Sequence, residues 1–240
     1  MKSSLRIAQL AYILCAGIGK RLRPLTLRYP KALLPVAGRP MVFHVLDALR
    51  ARGIWRFLVN LHAHPDLLRR ALVAYGRRHR VRFVFFYEKK LLGTGGAVRN
   101  AASFLTEPFW LVNCDFLPEG FSFAAMERTH VARRAVATLA VRWVRPSDAF
   151  NPVGVDRRGR LTRVSKVFGR GGDDRVFLGV HRLDPGAMKY LADEKIFPVF
   201  TGLYKNLFNA GIPIQTYTGH PRHSFDLGAL EGYYSANFSF

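Results

Sequence analysis

The sequence predicts an α/β protein: a mostly parallel, doubly wound sheet covered on both faces, with a smaller mixed β region added to it. Three observations predict this. Apolar runs of strand length alternate with amphipathic stretches over residues 12–113. After Ala135 the texture changes to short extended runs, separated by turn signals such as Asp156-Arg157-Arg158-Gly159. The chain has 240 residues, 49% of them hydrophobic, which suits one large α/β domain or two small domains, and the alternation favours the first.

Taken in order, residues 12–16 form an apolar run that stops at Gly17 and reads as a buried strand. Pro40 can open a helix, where its missing N–H costs nothing. Val42, Val45, Leu46 and Leu49 then follow at i, i+3, i+4 and i+7, and Gly53 ends the helix. Residues 55–60 read as a second strand, and 66–78 as a helix with Leu68, Ala71, Leu72 and Tyr75 on one face. Residues 81–87 read as a third strand, 95–104 as a helix and 109–113 as a fourth strand. The added region comprises extended runs at 135–144, 153–156, 161–167 and 176–182. A strand at 214–217 and a helix over about 229–237 close the chain.

Composition excludes several classes. A mean hydropathy of +0.02 with 13% aromatics rules out a wholly disordered chain. No window of about 18 uninterrupted apolar residues exists, so no membrane span is expected. With only Cys15 and Cys114, a disulfide-framed secreted module is excluded, and a reducing, cytoplasmic setting is the default. Lys2 and Arg6 before the apolar run 7–17 resemble the start of a signal peptide. That run ends in Gly17-Ile18-Gly19-Lys20-Arg21 with no separate small-x-small cleavage site, so it reads as an exposed tail followed by a strand.

The charge is large and uneven. The net charge is +21, and residues 1–100 carry 20 basic against 3 acidic side chains. The first part of the chain should attract an anion, a nucleotide, a nucleic acid or an acidic membrane surface, unless its arginines simply form a solvated surface.

The chemistry concentrates in five places. Leu14-Cys15-Ala16-Gly17-Ile18-Gly19-Lys20-Arg21 lies at the C-terminal end of the first strand, where open α/β sheets bind ligands. Its glycines allow close backbone approach, and successive N–H groups can form an anion nest. It is neither the dinucleotide fingerprint, since Leu22 replaces the third glycine, nor a Walker loop. Tyr29-Pro30-Lys31-Ala32-Leu33-Leu34-Pro35 follows. Leu92-Gly93-Thr94-Gly95-Gly96 is a second glycine turn, before a helix. Asp115 stands directly after a buried strand, a ready ligand for a hard cation. Ser224-Phe225-Asp226-Leu227-Gly228 precedes the last helix, and Pro152-Val153-Gly154 with Ser165-Lys166-Val167 lies in the added region.

In these residues the chain resembles the sugar 1-phosphate nucleotidyltransferases, which carry Leu-Ala-Ala-Gly-x-Gly-x-Arg-Leu-x-Pro-Leu-Thr and then Pro-Lys-Pro-Leu. Cys15 and Ala32 are the departures over this stretch. The resemblance implies a Rossmann-like fold, with a nucleotide part over about 11–135 and a sugar part over about 136–240. It implies that an NTP and a sugar 1-phosphate give an NDP-sugar and pyrophosphate with Mg²⁺. Leu14, Ala16, Gly17, Gly19, Gly93, Thr94 and Gly95 would contact the nucleotide. Arg21 would grip the triphosphate, with Lys31 and Lys166 on the reacting phosphates. Gly154, Lys166 and Gly179 would face the sugar, and Asp115 and Asp226 would hold the metal. Cys114 replaces a glycine of the family, Ser224 a tryptophan, and Ser165 and Val167 replace Glu and Pro. These departures leave open a second reading, a nucleotide- or nucleic-acid-binding regulatory protein on the same fold. Nucleobase, sugar and oligomeric state are not set by the sequence.

Three structural expectations follow. Cys15 and Cys114 should be adjacent, buried and reduced. Arg50, Arg52, Arg56, Arg69, Arg70, Arg77, Arg78, Arg80 and Arg82 should face solvent away from the glycine loop. Asp115 and Asp226 should converge beside Gly17, Arg21 and Lys31. His44, His62 and His64 are expected to be structural, because a phosphate nucleophile is already ionised and needs no base.

Overall fold

A computed structural model of the chain describes residues 8–145, 152–221 and 225–239. Lys2, Arg6, Ile7, Asn151 and Ser224 lie outside the described residues. In chain order the main elements are β1 (Leu10–Leu14), α1 (Met41–Arg50), β2 (Arg56–Leu61), α2 (Pro65–His79), β3 (Arg82–Tyr87), α3 (Gly93–Asn100) and β4 (Phe109–Asn113). There follow α4 (Phe123–Ala132), β5 (Ala137–Trp143), β6 (Val153–Val155), β7 (Leu161–Val164), β8 (Phe168–Gly169), β9 (Asp173–Leu183), α5 (Lys205–Asn209), β10 (Ile214–Thr218) and α6 (Leu230–Phe238). The fold is mixed α/β, as the alternation of runs predicts. The described residues form two compact units: 9–91, 112–121, 221 and 225–239 in one, and 8, 92–111, 122–145 and 152–220 in the other.

The first unit is parallel. β1 pairs with β2 and β2 with β3, in registers running from Leu10↔Arg56 and from Arg56↔Arg82. β1 is buried along its whole length, as a strand covered on both faces must be, whereas β3 is half-exposed. The apolar stripes of α1 (Met41, Val42, Val45, Leu46, Leu49) and α2 (Leu68, Leu72, Tyr75) are buried. Pro40 stands directly before α1, and Pro65 opens α2. Of the nine arginines expected to face solvent, eight are exposed and Arg56 is half-buried. Arg50, Arg52, Arg56, Arg77, Arg78, Arg80 and Arg82 sit where helices end and strands begin, opposite the end of β1 that carries the glycine loop. Arg69 and Arg70 lie on the exposed face of α2.

The last helix completes this unit. Tyr233 and Ala236 of α6, with Leu227 before it, join Leu22, Leu34, Val36, Met41 and Leu117 in one buried cluster. Tyr233 also donates its hydroxyl to the Pro35 carbonyl at 2.8 Å. This apolar contact brings residues 225–229 to the loops that follow β1, nearly 200 positions earlier in the chain.

The second unit is mixed. β5 pairs antiparallel with β9 and parallel with β10, and β9, β6, β7 and β8 continue antiparallel. The register of β9 slips between Phe177 and His181, where Gly179 takes a positive φ of 81° inside a bulge. α4, capped by the Ser122 hydroxyl accepting from Ala125 N–H at 3.2 Å, has only a weak apolar stripe and no sequence signal as clear as that of α1. The expected helix at 95–104 is split into α3 and a short turn, Ala102–Phe104.

His181 is fully buried in this unit, with Nδ1 2.7 Å from the Tyr204 hydroxyl. Burial pushes its pKa down to about 3. The unfolded chain takes up a proton near pH 6.5 that the folded state refuses until about pH 3, so stability falls as pH drops through that window. At pH 4.5 the loss should be about 2–3 kcal/mol. Urea unfolding at pH 7 and 4.5 should show a smaller pH difference for His181→Gln than for the native chain. An equal difference in both would mean that His181 does not carry this acid lability.

Candidate active site

The site is built from loops at the C-terminal end of β1. Leu14, Cys15 and Ala16 are buried. The strand ends at Leu14, two residues before the expected end, because Cys15 and Ala16 donate their N–H groups to the Asn60 side chain instead of a neighbouring strand. Gly17 and Gly19 follow. Gly19 has φ +60°, and a β-carbon there would stand 2.8 Å from Thr26 Cγ2, so both conformation and space require glycine. Thr26 locks the turn by donating its hydroxyl to the Gly19 carbonyl at 2.9 Å. Single 3₁₀ turns at Lys20–Leu22 and Lys31–Leu33 bury Leu22 and Ala32 while their basic neighbours Arg21 and Lys31 turn away from that packing.

These two cations meet the two aspartates. Arg21 pairs with Asp226 at 2.5 Å, and Lys31 pairs with Asp115. The grouping is tight around Gly228. A β-carbon on Gly228 would lie 2.6 Å from Arg21 Nη2, 2.9 Å from Asp226 Oδ1 and 3.2 Å from Lys31 Nζ. The Gly228 N–H also donates to Asp226 Oδ1 at 2.9 Å, fixing that carboxylate. Burial alone would lower the Lys31 pKa, but Asp115, with Cys114 and Asp226 adding to it, raises it above the usual lysine value. Lys31 therefore stays charged, and Asp115 and Asp226 act on the same ammonium.

Cys114 and Cys15 are both buried and unoxidised, and their thiols interact directly. Cys114 N–H donates to the Leu14 carbonyl at 3.3 Å, which places the ends of β4 and β1 side by side, as expected. Burial, then the neighbouring Cys114 thiol and Asp115, pushes the Cys15 thiol pKa well up, so it is a poor nucleophile. Cys114 takes the place of a glycine with its side chain packed inward, and Asp115 still reaches Lys31.

The other expected site residues belong to the second unit. Gly93 opens α3 with φ +73°. Gly95 and Gly96 donate their N–H groups to the Phe197 carbonyl at 2.9 and 3.1 Å, and Thr94 accepts from Val199 N–H at 2.8 Å. A β-carbon on Gly95 would fall 2.3 Å from the Phe197 ring, so the close approach there is to the protein's own chain. Gly154 is buried in β6 against the Gly171 carbonyl, and Gly179 is buried in the bulge of β9. Lys166 is exposed at the turn after β7, with φ +62°.

Histidines 44, 62 and 64 contact backbone carbonyls of Val36, Glu88 and Thr26 at 2.9, 2.8 and 3.3 Å, which suits positions that brace loops. Sequence reasoning missed Asn60 and Glu88, and it named Gly228 only as part of the segment around Asp226. The available signal for Asn60 was a carboxamide inside the apolar run of β2, where a buried polar group must find partners. Among the described residues no cluster of three or more His, Cys, Asp or Glu forms a metal cage, and no helix is long and apolar enough to cross a membrane.

Residues 10–167 match the nucleotidyl transferase family. The mannose-1-phosphate guanyltransferase of Schizosaccharomyces pombe is 30% identical over 229 residues, covering 93% of this chain and 59% of that protein. The one from Aspergillus fumigatus is 29% identical over 185 residues, 75% of this chain and 50% of its own. The chain thus spans between half and three-fifths of these curated relatives. Among solved structures, HddC from Yersinia pseudotuberculosis complexed with GMP-PN aligns with a TM-score of 0.75 at 19% identity, over 97% of this chain and 99% of that one. UDP-glucose pyrophosphorylase complexed with UDP-glucose aligns at 0.76 and 16% identity, over 97% and 98%. At those identities the likeness concerns the fold, but the match over residues 10–167 is a match of sequence, and by it the chain belongs to the nucleotidyl transferase family.

Proposed function

We propose that the protein transfers a nucleotidyl group from an NTP to a sugar 1-phosphate, giving an NDP-sugar and pyrophosphate, with GTP as the favoured donor. The observation that carries the chemistry is the alternating group of Arg21, Asp226, Lys31 and Asp115, paired across 205 positions for Arg21 and Asp226 and 84 for Lys31 and Asp115. The guanyltransferase names of the relatives support GTP. A phosphate oxygen of the sugar phosphate attacks the α-phosphorus, the bond from that phosphorus to the β-phosphate oxygen breaks, and pyrophosphate leaves. Little covalent work falls to the protein, so positioning and charge neutralisation dominate.

Two carboxylates beside two cations fit a divalent metal held jointly with substrate phosphates, the usual manner of Mg²⁺. Asp115 and Asp226 would hold it, and when bound it would neutralise phosphate charge. Each carboxylate is paired with a cation of the loops. In the complex Arg21 would turn to the triphosphate and Lys31 to the reacting phosphates. By motif resemblance we assign Leu14, Ala16, Gly17, Gly19, Gly93, Thr94 and Gly95 to the nucleotide, and Gly154, Lys166 and Gly179 to the sugar phosphate. The reduced cysteines and small charged substrates suit the cytoplasm.

Pyrophosphate release with each NTP against a panel of sugar 1-phosphates tests this reading. Mg²⁺-dependent release is expected, fastest with GTP and mannose 1-phosphate or a related sugar phosphate. No release with any pair would defeat it, and salt-sensitive retention on nucleic acid would then favour the binding-protein reading.

A further inference from the structure

The amide of Asn60 is a buried group with all its polar contacts made inside the protein. Its Oδ1 accepts from Cys15 N–H at 2.7 Å and from Ala16 N–H at 3.3 Å. Its Nδ2 donates to Glu88 Oε1 at 2.7 Å. Asn60 and Glu88 are 4% and 6% exposed. The orientation of the amide follows from its partners, since two N–H donors require the oxygen and a carboxylate requires the NH₂. The network links the ends of β1, β2 and β3, and Glu88 is itself anchored by its N–H donating to the Leu61 carbonyl at 2.8 Å.

The next N–H groups differ. Among the described residues, those of Gly17, Ile18 and Gly19 have no hydrogen-bond partner. The backbone thus changes at Ala16 from N–H groups consumed by a side chain to N–H groups still open, and the open ones lie in the glycine turn that precedes Arg21. Successive open N–H groups in such a turn are the usual receptors for a phosphate.

We propose that Asn60 is a positioning residue for phosphate binding: by taking the first two N–H groups of the loop, while Glu88 holds its amide, it sets the turn so that the next three N–H groups face the triphosphate. The proposal rests on the nucleotide-binding reading of this loop. Asn60 touches no substrate. It acts through the backbone of residues 15–19.

Two measurements test it. The first uses the native chain: residue-resolved amide exchange with and without GTP. Cys15 and Ala16 should be protected without ligand, whereas Gly17, Ile18 and Gly19 should exchange quickly and slow by at least about tenfold with GTP. Rapid exchange at Cys15 and Ala16, or protection by GTP elsewhere but not at 17–19, overturns the proposal. The second reverses the polarity of the pair. Asn60→Asp keeps an acceptor for the loop but loses the donor to Glu88 and sets a second acid beside Glu88, Tyr12 and Cys15. It should weaken GTP binding by about tenfold or more. Glu88→Gln keeps an acceptor for Asn60 and is the reference against which the double variant is read. Combined with Asn60→Asp, Glu88→Gln supplies a new donor and should return binding to within about threefold of native. A double variant that binds GTP no better than Asn60→Asp overturns the proposal, as does an Asn60→Asp chain with native affinity. Because the readouts are exchange and binding, a chain that binds GTP through these amides but releases no pyrophosphate would defeat the catalytic reading alone.

Discussion

Asp115→Asn should lower Mg²⁺-dependent pyrophosphate release by at least about 10²-fold, the scale of losing one preorganised electrostatic contact to a transition state. The substitution keeps the size of the side chain and the packing of Cys114. It removes the charge that a divalent cation needs and that holds Lys31 above its usual pKa. Lys31 would then keep Asp226 as its acidic neighbour and could still meet phosphate. Binding of NTP without metal should therefore change far less than turnover. Steady-state rates across a Mg²⁺ titration, with metal-free NTP binding measured in parallel, separate the two effects. A variant with native Mg²⁺-dependent turnover would remove Asp115 from the proposed mechanism, and with it the reason for gathering these four residues.

Arg182→Met should cost about 3–5 kcal/mol of stability, the range for stripping one partner from a buried ion pair. Arg182 is 1% exposed. Its guanidinium donates to both oxygens of Glu127, at 2.8 and 2.9 Å, to the Leu183 carbonyl at 2.8 Å and to Asp184 at 3.0 Å. Methionine roughly keeps the length of the stem but abandons Glu127, 7% exposed, without a counter-charge. Arg182→Met combined with Glu127→Leu should recover most of the loss, since the main penalty is the orphaned carboxylate rather than the missing attraction. Chemical denaturation of both variants decides this. A single variant within about 1 kcal/mol of native would show that solvent or rearrangement satisfies Glu127.

By itself the sequence determined the alternation of strands and helices, since apolar runs and stripes are local and their periods are distinct. It also determined the glycine turns and the candidate cations and carboxylates, because phosphate and metal chemistry restrict which residue types serve. The tertiary structure decided which of these meet. Nothing near Asp226 indicates that it faces Arg21. That follows from Leu227, Tyr233 and Ala236 burying themselves against Leu22, Leu34, Val36 and Met41, a contact with no sequence period. The end of β1 was likewise invisible locally, because an Asn60 side chain 45 residues away takes the N–H groups that would have extended the strand. Gly95 and Gly96 read as positions of close backbone approach, and nothing in the sequence names Phe197, whose carbonyl takes both N–H groups and whose ring packs on Gly95. A glycine records that something must come close, and only the folded chain shows what does. The positive charge divides in the same way. Its amount is a property of composition, whereas the placing of Arg21 and Lys31 among carboxylates, with Arg77, Arg78, Arg80 and Arg82 at the other end of the sheet, is set by where helices end and strands begin.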